Sequence, residues 1–153
     1  MECLYKTTTK YSFEEYKKFN GAVMNQKYII IVLIIALLLI FTGGIILENK
    51  LLIIFSIIYP ILFWGAKNIG IKRVFNSNKL LQNSEISFEF YEDFFEIKHE
   101  NGDEKIPYNK LSKIIETKTN FYLMIAKNQG YILIKEGMPE GLGEFINSKK
   151  AVI

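Results

Sequence analysis

The sequence predicts an α+β membrane protein, in which a two-helix transmembrane hairpin joins a small antiparallel β domain closed by a C-terminal helix. Three observations predict it. Half of the 153 residues are hydrophobic, but the excess is concentrated in residues 28–66, where Glu48 and Lys50 are the only acidic or basic side chains. From residue 85 onward the texture changes to short segments that alternate apolar and polar residues between turn signals, the pattern of half-buried strands. Positive charge flanks the apolar block on both sides: residues 1–27 carry five Lys against three Glu, and Lys67, Lys72, Arg73 and Lys79 stand unopposed in residues 67–81. Residues 82–153 hold nine Lys against ten Glu and two Asp, so the soluble part is mildly acidic, the wrong sign for a nucleic-acid surface. An aromatic content of 14% and a single cysteine exclude a disordered chain and a disulfide scaffold.

Residues 1–27 read as a cytoplasmic N-terminal segment holding a short strand and an amphipathic helix. Leu4 to Thr9, rich in Tyr and Thr, is the strand. Ser12-Phe13-Glu14-Glu15 matches a capping box, so a helix begins at Phe13, and Phe13, Tyr16 and Phe19 give it an apolar stripe. The stripe fits a helix lying on the membrane surface and equally one packed on the soluble domain.

The hairpin occupies residues 28–71. Tyr28 to Leu47 is twenty residues without charge, a helix of roughly 30 Å and so the thickness of a hydrocarbon core. A second span runs from Leu51 to Ile71, with Lys67 snorkelling to the interface. The three-residue link Glu48-Asn49-Lys50 makes the two antiparallel neighbours. Lys17, Lys18 and Lys27 before the first span and the basic cluster after the second place both termini in the cytoplasm of a multi-pass cell-membrane protein. Tyr28 and Trp64 then lie at one interface. Pro60 is expected to bend the second helix, and Gly43 with Gly44 to allow close helix approach. No acid, His or Arg lies at depth, which disfavours a pump or transporter made by this chain alone.

A basic juxtamembrane linker, residues 72–82, leads to a cytoplasmic β domain, residues 83–153. Its strands follow Ile86 to Phe90, Phe95 to His99, Glu104 to Tyr108, Leu111 to Thr117, Phe121 to Lys127 and Tyr131 to Lys135, with Asn101-Gly102 as the sharpest hairpin signal. Pro139 to Lys150 reads as the terminal helix, with Leu142, Phe145 and Ile146 as its buried stripe and Gly141 and Gly143 weakening it. Six strands and a helix make a small antiparallel sheet or partial barrel.

The run Tyr91-Glu92-Asp93-Phe94-Phe95-Glu96-Ile97-Lys98, then Ile106-Pro107-Tyr108-Asn109-Lys110-Leu111, Glu116-Thr117, Phe121-Tyr122-Leu123 and Tyr131-Ile132-Leu133-Ile134-Lys135, resembles the YcxB-like family of bacterial membrane proteins. The resemblance covers essentially the whole chain, most specifically residues 85–136. It implies a short N-terminal segment, two closely linked spans and a β-rich C-terminal domain similar to pleckstrin-homology folds. It implies no catalytic residues.

The chemistry-bearing residues are sparse. His99 is the single histidine and Cys3 the single cysteine, so no set has zinc spacing. Glu89, Glu92, Asp93, Glu96, Glu100, Asp103 and Glu104 read mostly as a solvated face, and no calcium-loop, Walker, nucleophile-elbow or dinucleotide motif is present. No catalytic residue, metal or cofactor is expected. The interpretable cluster is Lys67, Lys72, Arg73 and Lys79, read first as a topology determinant and surface tether and second as a contact for anionic lipid headgroups. The expected function is a membrane-anchored, non-catalytic interaction module at the cytoplasmic leaflet, with membrane lipid and a protein partner as ligands, no nucleic acid, and self-association through the spans. The alternatives are an accessory or immunity-type subunit of a transporter or toxin system, and a membrane-surface enzyme.

Overall fold

The computed structural model describes residues 2–23, 26–77, 85–99 and 102–152. They fall into two units, one formed by Met1–Val23 together with Asn78–Ile153 and the other by Met24–Ser77. The chain is an α+β protein with two antiparallel sheets and four helices.

The first unit starts with β1 (Tyr5–Lys10), whose partner is far along the chain. It pairs antiparallel with β2 (Glu85–Phe90), from Tyr5↔Phe90 to Lys10↔Glu85. β3 (Phe94–His99) and β4 (Gly102–Pro107) complete a four-stranded sheet in the order β1-β2-β3-β4. Pro107 has no N–H to continue the ladder, and a 3₁₀ turn over Tyr108–Lys110 carries the chain to a second sheet. That sheet is β5 (Lys113–Glu116), β6 (Asn120–Ala126) and β7 (Gln129–Ile134), in chain order. The six expected strands are all present. A seventh joins them from the N-terminal segment, and they form two sheets in place of one sheet or partial barrel. Gly102 is the first residue of β4, opposite His99, while Asn101 lies outside the described residues.

Phe88, Phe90, Phe95 and Ile97 of the first sheet are fully buried, and Tyr131 of β7 sets its ring edge-on to Phe88 and Phe95. β6 is buried along Asn120–Met124 because both of its faces are covered. One covering element is α1 (Phe13–Val23), whose Phe19 meets Tyr122 edge-on at 5.4 Å between centroids. The stripe of α1 therefore packs on the β unit, and burial of a phenylalanine such as Phe19 contributes about 1.5–3 kcal/mol. Ser12 Oγ accepts the Glu15 amide at 3.3 Å, one half of the capping box, while the Glu15 carboxylate accepts from Lys18 and from Asn120 of β6. The helix is thus anchored to the sheet by the residue expected to cap it.

The N-terminal segment also closes the free edge of β7. Tyr11 Oη accepts the Ile132 amide at 2.8 Å and Thr9 Oγ1 accepts the Ile134 amide at 3.3 Å, two backbone donors that the ladder with β6 leaves over. Burial pushes the Tyr11 phenol above its ordinary pKa. The terminal helix α4 (Leu142–Ser148) starts later than Pro139 because Gly141 precedes it with φ of 83°, a left-handed conformation that glycine adopts without a Cβ clash. Leu142 and Ile146 bury completely, as its pattern predicts, while Phe145 is only partly buried.

The second unit is α2 (Gln26–Ile46) and α3 (Lys50–Ser77), joined by residues 47–49. Both helices are long and apolar enough to cross a membrane. Asn49 Oδ1 accepts the amides of Leu51 and Leu52 and starts α3. Close approach near this turn depends on Gly44, where a Cβ would stand 2.9 Å from Ile53 Cγ1. At Gly43 the same atom would meet open space. α3 continues through Pro60 and on to Ser77, so residues 72–77 of the expected linker are helical. The remainder of that linker, with Lys79, lies outside the described residues.

Candidate functional site

Of the four basic residues singled out by sequence, Lys67, Lys72 and Arg73 stand on the C-terminal half of α3. At about 100° per residue, Lys72 is rotated about 140° from Lys67 and Arg73 about 120° in the opposite sense. The three encircle the helix and do not converge. Lys72 and Arg73 are exposed, whereas Lys67 is half-buried.

Lys67 closes one end of a groove of about 280 Å³ between the start of α2 and the end of α3, whose other walls include Ile29, Ile30, Phe63, Trp64 and Ile71. Its ammonium stands 5.3 Å from the Trp64 ring centroid, a cation–π contact. The charge was legible in the sequence but the groove was not, because Ile29 and Ile30 come from the other helix. A larger groove of about 660 Å³ lies along the same pair, walled by α2 residues and by the ladder Phe55, Tyr59 and Phe63, with successive centroids 5.2 and 6.1 Å apart. No charged side chain lines it. Ser56 Oγ donates to the Ile53 carbonyl and Thr42 Oγ1 to that of Leu38, so these two hydroxyls are satisfied within their own helices.

In the β unit, Glu89 departs from the solvated face assigned to it. It is buried, its carboxylate contacts Lys98 at 2.6 Å and Lys6 at 3.0 Å, and the Tyr91 hydroxyl donates to it. Lys98, then Lys6, pull its pKa down to about 2, against the upward effect of burial. The cluster ties β1, β2 and β3 together, and with every partner satisfied it is an internal staple. Glu116 pairs with Lys135 at 2.8 Å and Lys150 at 3.5 Å beside a cavity of about 330 Å³ that Glu144 and Asn147 also line. Lys135, first, and an Asn147 hydrogen bond hold the Glu116 carboxyl below its ordinary pKa. His99 ends β3 with Nδ1 buried and without a hydrogen-bond partner among the described residues, and Cys3 is exposed at the other end of the chain order. Among the described residues no three His, Cys, Asp or Glu side chains gather as a metal site.

A two-sheet antiparallel β unit, interrupted after its first strand by a pair of long apolar helices, defines the class of this chain. The family model described as YcxB-like protein matches residues 90–147, from the last residue of β2 through β3–β7 into α4. The match is narrower than the whole-chain resemblance, leaving out the hairpin and β1. No curated protein and no solved structure matches the chain.

Proposed function

We propose that the chain is a membrane-anchored, non-catalytic interaction module whose hairpin crosses the bilayer twice and whose β unit, similar to a pleckstrin-homology fold, is cytoplasmic. The observation that carries the proposal is the pairing of Lys10 with Glu85. The chain leaves the sheet at Lys10, passes through both apolar helices, and rejoins the same sheet beside the point it left. One crossing would put β1 and β2 on opposite sides of a membrane and destroy six cross-strand pairs, which supports an even number of crossings. Two crossings also give lipid contact to side chains such as Leu39 and Ile46, which are 68% and 79% exposed and cover too large an apolar surface for water. The basic residues around the outer ends of the hairpin support the cytoplasmic side. Seven strands in two sheets followed by a helix support the pleckstrin-homology likeness.

Labelling of intact cells with a membrane-impermeant maleimide tests it, in a Cys3→Ser background because native Cys3 is exposed. Asn49→Cys is expected to label and Asp103→Cys to label only after lysis. The converse result inverts the topology, and equal labelling of both removes the crossing. Extraction in mild detergent followed by chemical crosslinking is expected to retain a protein partner, and a chain that captures neither protein nor lipid is no interaction module.

A further inference from the structure

We infer that the groove beside Lys67 binds an anionic phospholipid, with one acyl chain against its apolar wall and the phosphate on the Lys67 ammonium. The inference rests on the membrane-anchored reading above and names the ligand of that anchor. Lys67 lies about 25 Å along α3 from Lys50, close to where a hydrocarbon core of about 30 Å gives way to headgroups. Its stem runs beside apolar side chains while its charge reaches the headgroup level. Among the described residues Lys67 forms no ion pair, so an anion has a single unopposed cation to meet.

The sign of the headgroup follows from what surrounds that cation. Residues 51–77 contain no Asp or Glu, and neither do residues 26–46. Within the hairpin, the ammonium of a zwitterionic headgroup would find no carboxylate to receive it. A headgroup of net negative charge leaves no such orphan. The groove of about 280 Å³ falls just below the ~300–1,000 Å³ typical of ligand clefts, room for part of one chain, and its apolar wall asks for a hydrocarbon chain, which free phosphate lacks. Trp64 completes the site as an interfacial ring beneath the ammonium. Because Lys72 and Arg73 stand on other sides of the helix, Lys67 is the cation of α3 that meets the phosphate.

Trp64 is the single tryptophan and lines this groove, so its fluorescence reports on the lipid at and beside the groove. The full chain is reconstituted in phosphatidylcholine vesicles containing phosphatidylglycerol or phosphatidylcholine with brominated acyl chains, which quench tryptophan on contact. The phosphatidylglycerol probe is expected to quench with about fivefold higher apparent affinity, equivalent to the ~1 kcal/mol that one basic side chain contributes near an anionic leaflet. Lys67→Gln is expected to abolish that preference, and Lys67→Arg, Lys72→Gln and Arg73→Gln to retain it. Equal quenching by the two lipids overturns the inference, as does equal loss of preference in Lys67→Gln and Lys72→Gln, which would signal a diffuse field. Insensitivity to both probes in a chain that floats with the vesicles also overturns it, because the groove is then covered by another protein surface such as a second copy. A chain that does not float with vesicles at all refutes the membrane reading itself.

Discussion

Tyr11→Phe removes one oxygen atom and leaves the ring in place. The lost hydroxyl accepts the Ile132 amide at 2.8 Å, and both residues are buried, at 4% and 1% exposure, so water has no ready path to replace it. A buried donor stripped of its acceptor costs about 1–3 kcal/mol. For a unit of roughly 100 residues, each kcal/mol lowers the midpoint of thermal unfolding by about 4–8 °C. The variant is therefore expected to melt about 4–24 °C lower than the parent chain in the same detergent. Because the donor sits on β7, hydrogen exchange read by mass spectrometry should show lost protection in the peptide covering residues 129–134 before the peptide covering residues 94–99. An unchanged melting point together with unchanged exchange over residues 129–134 refutes the claim that the N-terminal segment seals this edge.

Gly44→Val drives a side chain into Ile53 and is expected to separate α2 from α3, slowing disulfide crosslinking between cysteines placed across the turn, whereas Gly43→Val, which meets open space, leaves the rate unchanged. Glu89→Gln is expected to cost about 1–2 kcal/mol at pH 7 through weakened charged hydrogen bonds. Since the folded state holds the Glu89 carboxyl down to about 2 from its ordinary 4.5, its stabilisation is complete above pH 4.5 and is lost as pH falls toward 2; the parent's melting point should therefore drop more steeply than the variant's across that window. Replacing residues 24–84 by a flexible glycine-serine linker keeps β1, α1 and β2–β7 and is expected to yield a water-soluble protein with dispersed amide resonances. A collapsed spectrum would show that the β unit depends on its hairpin.

What the sequence made legible was local. The two long helices follow from uninterrupted apolar runs, the six C-terminal strands from alternation, and the turn between the helices from Glu48-Asn49-Lys50. The choice between a membrane-surface α1 and a packed one depended on Tyr122, a hundred residues away, and no local signal carries that. β1 was readable as a strand but its strongest feature was hidden: Thr7 and Thr9 are its buried positions, and threonine does not register as apolar in a hydropathy pattern. The split into two sheets turns on Pro107 and the pairing of β1 with β2, one local and one remote. Glu89 looked like every other outward carboxylate because its burial is produced by Lys6 from β1 and Lys98 from β3. Lys67, Lys72 and Arg73 read as one cluster along the chain and stand apart around a helix.

The adjacency of Lys10 and Glu85 sets an order of events during synthesis. β1 leaves the ribosome first, but its partner strand is made only after residues 11–84 have been translated, about 4–15 s later at 5–20 residues per second. In that interval both apolar helices are made, so on the membrane-anchored reading proposed above an insertion machinery meets them before β1 has a partner. Placing the two apolar helices inside the first β connection thus makes completion of the four-stranded sheet wait until both of them have been made.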